Sequence, residues 1–452
     1  MFSAGKVFKV SSVFLFLSSS IVLTSCGESD LDAQLSKIIK EQNLQPLEKP
    51  QKNEALFKLG QALFFDKVIS GNKDISCATC HHPQVGTVDC KALGAGTKGE
   101  GLCLDREKAP DREFVPRNSP DIFNRGNPIW HTMFWDGRIE KLEDGTIKTP
   151  AGEQTPEGLN GVLAAQALFP ITSRTEMRGK VGDVAQDGEE NEIANIPDEN
   201  FTEIWNAVMN RILSIDEYED MFEEAYPNKN EFTIVDYANA VAHYESVAFS
   251  FSNSPWDEYI KGNTKAITEE AKMGAILFYG KAGCYKCHSG SLFTDQKYHN
   301  LAVPQFGPGK SEDGLDYGRY AITGNPEDKY KFRTPTLRNL DITAPYFHNG
   351  AYNSLRKVIK HHINPEYYLK NYNPIENDLS EELAATLKNS PEVINDILST
   401  VDINVPQLTE EEIDYLIAFL KSLNSPDIYD TEKLRSLVPD TVPSGIPVDI
   451  VQ

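Results

Sequence analysis

The pattern Cys-x-x-Cys-His occurs twice in this chain, as Cys77-Ala78-Thr79-Cys80-His81 and as Cys284-Tyr285-Lys286-Cys287-His288. That spacing reads as covalent attachment of a c-type haem: two thiols add across the vinyl groups, and the adjacent imidazole reaches the iron. A chain that carries the pattern twice must fold around two flat cofactors, which constrains its topology more than any local propensity. Zinc held by Cys-x-x-Cys pairs is the rival reading. It leaves His81 and His288 without a role, in both copies.

Length and charge set the outer bounds. A chain of 452 residues has room for two or three domains. The formal charge of −23 disfavours nucleic acid and anionic membrane surfaces as direct partners and suits a basic electron-donor protein. At the N-terminus, Lys6 and Lys9 precede an apolar run over residues 10–23 that ends in Leu23-Thr24-Ser25-Cys26. Residues 1–25 therefore read as a secretory signal peptide. The run is shorter than the ~20 residues that span a bilayer. Its end is similar to a bacterial lipobox, with Cys26 as the lipidated residue. The expected location is the periplasm, with membrane contact only through that anchor.

Cysteine arithmetic then closes. Cys26 takes lipid, and the two motifs use Cys77, Cys80, Cys284 and Cys287. Cys90 and Cys103 remain, and an oxidising compartment permits them to pair as a disulfide.

The surroundings of the two motifs repeat. Leu59-Gly60-Gln61-Ala62-Leu63-Phe64-Phe65 precedes the first and Met273-Gly274-Ala275-Ile276-Leu277-Phe278-Tyr279 the second, and both read as amphipathic helices. Apolar and aromatic helices over 235–251 and 410–423 close the two halves, the latter with Thr409 as N-cap and acids in its first turn. The expected fold is mainly α, two fused cytochrome c-type haem domains with long loops and a pseudo-twofold internal repeat. The domains run over 51–255 and 256–430, with breaks near Ser254-Pro255 and Gly262-Asn263. Residues 26–50 read as a tether, 431–452 as an extended tail, and 139–160 and 182–200 as surface insertions.

Further residues resemble the bacterial di-haem cytochrome c peroxidase and MauG family, in order and spacing, over about residues 52–425. They include Arg117-Asn118-Ser119-Pro120, Phe134-Trp135-Asp136-Gly137-Arg138 and Glu176-Met177 in the first half. In the second half they include Phe332-Arg333-Thr334-Pro335-Thr336-Leu337-Arg338-Asn339 and Ala344-Pro345-Tyr346-Phe347-His348-Asn349-Gly350. The resemblance implies that the first haem, on His81, reduces hydrogen peroxide and that the second, on His288, relays electrons from a donor. It places Glu176 as distal base and Gln166, ten residues earlier, as its pocket partner. Cleavage of a peroxide O–O bond needs such a base and a hydrogen-bond donor. It places Trp135 between the haems, and Asn118, Thr343 and Pro345 around a calcium ion. His299, Arg338 and His348 fall near the second haem as structural or propionate partners.

Two departures from the family pattern stand out. Many members carry a second His shortly after the first motif that caps the first iron, whereas residues 83–117 contain no His. Fourteen residues after His348, where the family keeps Met or Tyr, this chain has His362, preceded by His361. Neighbours on a helix point about 100° apart, so only one of the two can face the iron. His362 is preferred by spacing, with His361 as the alternative. An imidazole in place of Met lowers the potential of the relay haem.

The leading function is a peroxidase that takes electrons from a small donor protein, a cytochrome c or a cupredoxin. A MauG-like enzyme that oxidises a protein substrate is the alternative, and a non-enzymatic di-haem electron carrier the third reading. Gln166 and Glu176 argue against the last, because a carrier needs no distal base. A homodimer stays open.

Overall fold

The computed structural model describes residues 28–451, so the expected signal peptide over 1–25 and Cys26 lie outside the described residues. The chain is mainly helical, with long connecting loops and two small antiparallel sheets. Two crossed helix pairs organise it. Helix Glu54–Phe65 lies against helix Ile234–Ala248, and helix Glu269–Tyr279 lies against helix Glu410–Ser422.

Capping explains where these helices start. The Asn53 side chain accepts the Leu56 N–H, and Thr268 accepts that of Ala271. Thr409 and Glu412 cap each other reciprocally, with the Glu412 N–H on the Thr409 hydroxyl at 3.2 Å and the Thr409 N–H on the Glu412 carboxylate at 2.9 Å.

A glycine sets each crossing. A Cβ on Gly60 would fall on the Ala240 carbonyl oxygen, and one on Gly274 would fall on that of Tyr415. Only glycine permits backbones to approach that closely. One turn further along, Phe64 meets Tyr244 and Phe278 meets Phe419, each at 5.2 Å between ring centroids. The two glycines and four aromatics hold matching places in the two pairs, which is the physical meaning of the matching sequences before the motifs. Around the first pair lie Leu59, Leu63, Phe65 and Phe249, and around the second Trp256, Phe293 and Leu423, all buried.

Neither end of the described residues is loose. Residues 28–50 are not the tether the sequence suggests: helix Glu28–Glu41 buries Leu35, and Leu44 follows it into the core around Trp256. Asp32 accepts the Tyr259 hydroxyl at 2.7 Å and pairs with buried Lys272 at 3.0 Å. Residues 431–451 are likewise not an extended tail. They cross back to the other core, where Leu434, Val438 and Val442 are buried. Gln61 and Tyr244 both donate to the Leu437 carbonyl, and Lys67 pairs with Asp449 at 2.6 Å. Both segments are polar overall but place apolar residues at intervals that suit one face, a signal too sparse to see beside their Pro, Gly and charges. Residues 139–160, read as a surface insertion, carry strands Ile139–Lys141 and Ile147–Lys148 of a sheet that starts at Thr132–Met133, with Ile139 fully buried.

A buried ion cluster joins the two halves. Arg117 donates twice to Asp316, at 2.6 and 2.8 Å, and once to Asp136 at 2.6 Å. This cation holds the Asp316 carboxyl down to about 2, against the burial that would raise it. No described helix is long and apolar enough to cross a membrane.

Gly60→Ala and Gly274→Ala are each expected to lower stability by about 1–3 kcal/mol, the usual cost of overpacking. In an unhindered helix the same change gains up to about 1 kcal/mol. Denaturant midpoints decide between these signs; a raised midpoint would show that the helices part freely.

Candidate haem sites

The first motif sits on a single helical turn, Cys77–Cys80, that begins at Ser76. The Ser76 N–H donates to the Thr79 hydroxyl at 3.0 Å, so the turn carrying both thiols is fixed from within. His81 donates from Nδ1 to the Thr87 carbonyl at 2.9 Å. That bond selects the tautomer whose Nε2 bears the free lone pair, as a metal-binding imidazole requires. Burial lowers the His81 pKa and keeps the ring neutral. Adjacent His82 is spent: its Nε2 bonds the Asp449 carbonyl at 3.2 Å and its Nδ1 accepts from the Gln84 N–H.

Glu176 lies in the turn Arg174–Arg178, closed at its start by the Ser173 hydroxyl, which accepts the Glu176 N–H. Burial pushes the Cys80 thiol up to about 12, and the charges of Asp89 and Glu176 add to that rise. Gln166 stands on helix Val162–Ala167. That helix packs on the turn Pro170–Thr172, which packs in turn on the one bearing Glu176. Both side chains are partly buried. The fold thus groups Gln166, Glu176 and the first motif in one half.

The second motif opens into a cavity of about 500 Å³, within the ~300–1,000 Å³ usual for cofactor and ligand pockets. His288 donates from Nδ1 to the Phe293 carbonyl at 3.2 Å, and His362 from Nδ1 to the Val358 carbonyl at 2.8 Å. Each keeps Nε2 available, and both rings line the cavity. Burial, with the neighbouring His362, lowers His288 to about 4, and the two imidazoles face one space. His361 differs. It is fully buried, its Nε2 donates to the Leu301 carbonyl at 2.6 Å, and its Nδ1 accepts the Tyr352 hydroxyl at 2.9 Å. Helix Leu355–Ile363 carries both residues, and its twist sends one to the cavity and the other to the packing.

Asn118, Trp135, Thr343, Pro345 and His348 line the same cavity. The Trp135 indole donates to the Asn118 carbonyl at 3.0 Å. Asn118 Nδ2 donates to the Lys91 carbonyl at 2.8 Å, which leaves Oδ1 as its remaining polar atom. His348 stacks on Phe332 with centroids 3.4 Å apart. Arg338 serves the fold: it donates twice to buried Asp257 at 2.9 Å and once to the Ser291 carbonyl. His299 lies between Asp295 at 3.3 Å and Asp402 at 3.4 Å, whose carboxylates hold its pKa well above the ordinary value. Cys287, Asp295 and His299 form a close group, but Cys287 belongs to the motif.

The donor set fits haem at both places. All four motif cysteines are free of disulfides, each motif imidazole presents Nε2, and Cys90 and Cys103 are joined to each other. Sequence reasoning missed Glu245, whose buried carboxyl lies near Cys77 and is pushed up to about 8 by burial. Nothing in its helical spacing separates it from a surface acid.

The di-haem cytochrome c peroxidase family matches residues 54–265. The chain is 31% identical over 338 residues to cytochrome-c peroxidase IdrP1 of Pseudomonas sp. (strain SCT), covering 70% of this chain and 73% of that protein. It is 30% identical over 308 residues to methylamine utilization protein MauG of Methylorubrum extorquens, covering 68% and 67%. With cytochrome c551 peroxidase of Pseudomonas aeruginosa it shares 29% over 320 residues, covering 70% and 72%. Among solved structures, a MauG-like protein associated with microbial copper homeostasis aligns with a TM-score of 0.56 at 24% identity, over 86% of this chain and 95% of that one. The diheme peroxidase BthA of Burkholderia thailandensis aligns at 0.54 and 19%, over 90% and 94%. These two structural likenesses carry the fold.

The His299 pair gives a pH signature. Its folded pKa lies above the ordinary value near 6.5. The stability it contributes is therefore full below about pH 6.5 and fades as pH rises toward the folded pKa. The stability difference between wild type and His299→Gln should be largest near pH 6 and shrink steadily by pH 9. Urea unfolding at both pH values tests this; a difference that grows with pH would reverse the assignment.

Proposed function

The chain belongs to the di-haem cytochrome c peroxidase and MauG family, an oxidoreductase with two haem c groups that uses peroxide, and we propose that its two sites divide the work. The observation that carries this reading is the placement of the histidines. His288 faces a second imidazole with a free Nε2, that of His362. His81 does not, because every other histidine among the described residues is placed elsewhere. His82 is bonded at both nitrogens, His131 is exposed, and His243 accepts the Asn53 N–H. His299, His348 and His361 sit in the second half with the partners described above.

On this reading Cys77, Cys80 and His81 would hold the first haem, with no second histidine to compete with hydrogen peroxide for a position on it. Bound haem supplies the redox equivalents and that position; the chain supplies the rest. The Glu176 carboxylate takes a proton from the near peroxide oxygen and returns it to the far one, and the Gln166 amide donates a hydrogen bond to the developing charge. Two electrons and two further protons complete the conversion of one peroxide to two waters. Cys284, Cys287, His288 and His362 would hold the second haem, which would supply the entry point for electrons from a small cytochrome or cupredoxin. Trp135 stands in the cavity wall between the halves as mediator.

Asn118 Oδ1 with the backbone oxygens of Thr343 and Pro345 offers a set of hard donors that suits calcium. The matching helix pairs around Gly60 and Gly274 support two fused cytochrome c-type domains related by an internal repeat. The leader sequence supports a periplasmic protein held by lipid at Cys26.

A MauG-like oxidation of a protein substrate is the second reading. The opposed His288 and His362 favour it, because two imidazoles make the relay haem easier to oxidise than a Met ligand does. Peroxide turnover with a reduced small cytochrome separates the two: brisk turnover supports the peroxidase.

Glu176→Gln should leave both haems attached and slow the reaction with peroxide by about 10²–10⁴-fold. Stopped-flow absorbance checks it, and a wild-type rate would remove Glu176 from the role. His362→Ala should convert the second haem from low to high spin, whereas His361→Ala should lower stability by about 1–3 kcal/mol without that change, since it unpairs the Leu301 carbonyl and the Tyr352 hydroxyl. Electronic spectra and urea midpoints of both variants distinguish the two histidines.

A further inference from the structure

The loop after the first motif lacks the histidine found in many relatives, and the structure shows what it holds instead. Cys90 is bonded to Cys103, and this staple closes the segment that contains Ala95, Gly96 and Thr97. Inside it sits Arg106, only 4% exposed. Its Nε donates to the Ala95 carbonyl at 2.6 Å, Nη2 to the Gly96 carbonyl at 2.8 Å and Nη1 to the Gly101 carbonyl at 3.0 Å. A buried guanidinium satisfied by three carbonyls of one loop fixes that loop's shape, since its donors form a rigid fork.

The fixed loop presses on the Glu176 turn. A Cβ on Gly96 would fall on the Thr175 carbonyl oxygen, so the two backbones lie flush. The next residue donates its N–H to the Glu176 carbonyl at 2.8 Å. Thr97 is itself held, by its hydroxyl on the Asp74 carboxylate at 2.9 Å. On the other side of the turn, the Gly71 N–H donates to the Met177 carbonyl at 2.9 Å, and Asn191 Nδ2 donates to the Arg178 carbonyl at 2.8 Å. Three successive carbonyls, those of Glu176, Met177 and Arg178, are thereby pinned from two directions.

We propose that Arg106 is a positioning residue for Glu176, acting through the Cys90–Cys103 loop and the Gly96–Thr97 contact. This rests on the reading of Glu176 as distal base. The guanidinium sets the loop, the loop sets the turn, and the turn aims the carboxylate. The segment that could have carried an iron-capping side chain is here a rigid backing for the base.

The test is a double-mutant cycle on the haem-loaded protein with Arg106→Ala and Glu176→Gln, read by the rate of reaction with hydrogen peroxide. Arg106→Ala alone should slow the reaction by about 10–100-fold, the scale expected when a reacting group is misplaced by about 1 Å. In the Glu176→Gln background it should slow it no further, because the group it positions is already gone. An equal slowing in both backgrounds overturns the proposal. If Glu176→Gln alone has no effect, the reading of Glu176 fails and the proposal with it, which is a different result from additivity. Amide exchange adds a readout apart from turnover: Arg106→Ala should speed exchange over both 90–106 and 173–178, and acceleration confined to 90–106 speaks against the coupling. Should Arg106→Ala not fold, the Cys90→Ser, Cys103→Ser pair takes its place in the same cycle, with the same outcomes.

Discussion

Three imidazoles with a free Nε2 share one constraint: each donates from Nδ1 to a main-chain carbonyl. Thr87 serves His81, Phe293 serves His288 and Val358 serves His362. A backbone acceptor cannot rotate away, so tautomer and ring plane are both set by the fold. The surrounding architecture exists to place those carbonyls. Thr87 and Phe293 lie in loops just after the motifs, and Val358 lies one turn earlier on the same helix as its histidine. His361 shows the contrast within that helix, because both of its nitrogens are consumed by packing partners.

The halves are tied together by charge and by exchange of their ends. Arg117 with Asp136 and Asp316 forms a buried cluster in which removal of the cation would strand the Asp316 carboxylate and leave Asp136 only its pair with Arg138, a costly outcome of about 3–5 kcal/mol. The exchange is mechanical. The first described helix packs with the second half, and the last residues pack with the first. Each half therefore completes the other's core.

Much of this was legible in residues whose chemistry admits few alternatives. The motifs announced the haem sites, because a thiol pair with an adjacent imidazole answers a specific demand, and the matching segments before them announced the helices; that Gly60 and Gly274 set the crossings shows only in the structure. The pairing of Cys90 with Cys103 followed from counting. The ends were misread: residues 28–50 and 431–451 bury few apolar side chains each, and their composition resembles that of linkers. The choice between His361 and His362 needed the helix twist and the acceptors around it. The Arg106 loop was invisible, since its bonds go to carbonyls, which every residue has. Glu245 escaped for a related reason, as burial alone makes it unusual.

The crossing of the C-terminal strap bears on the order in which the molecule can be made. Asp449 reaches Thr79 in the first motif turn and bonds His82 through its carbonyl. Synthesis starts from the other end, so the first motif exists long before residues 434–449 do. Until then the core around the first helix pair lacks Leu434, Val438 and Val442. The first half therefore closes its core only once residues 434–449 have crossed over to it.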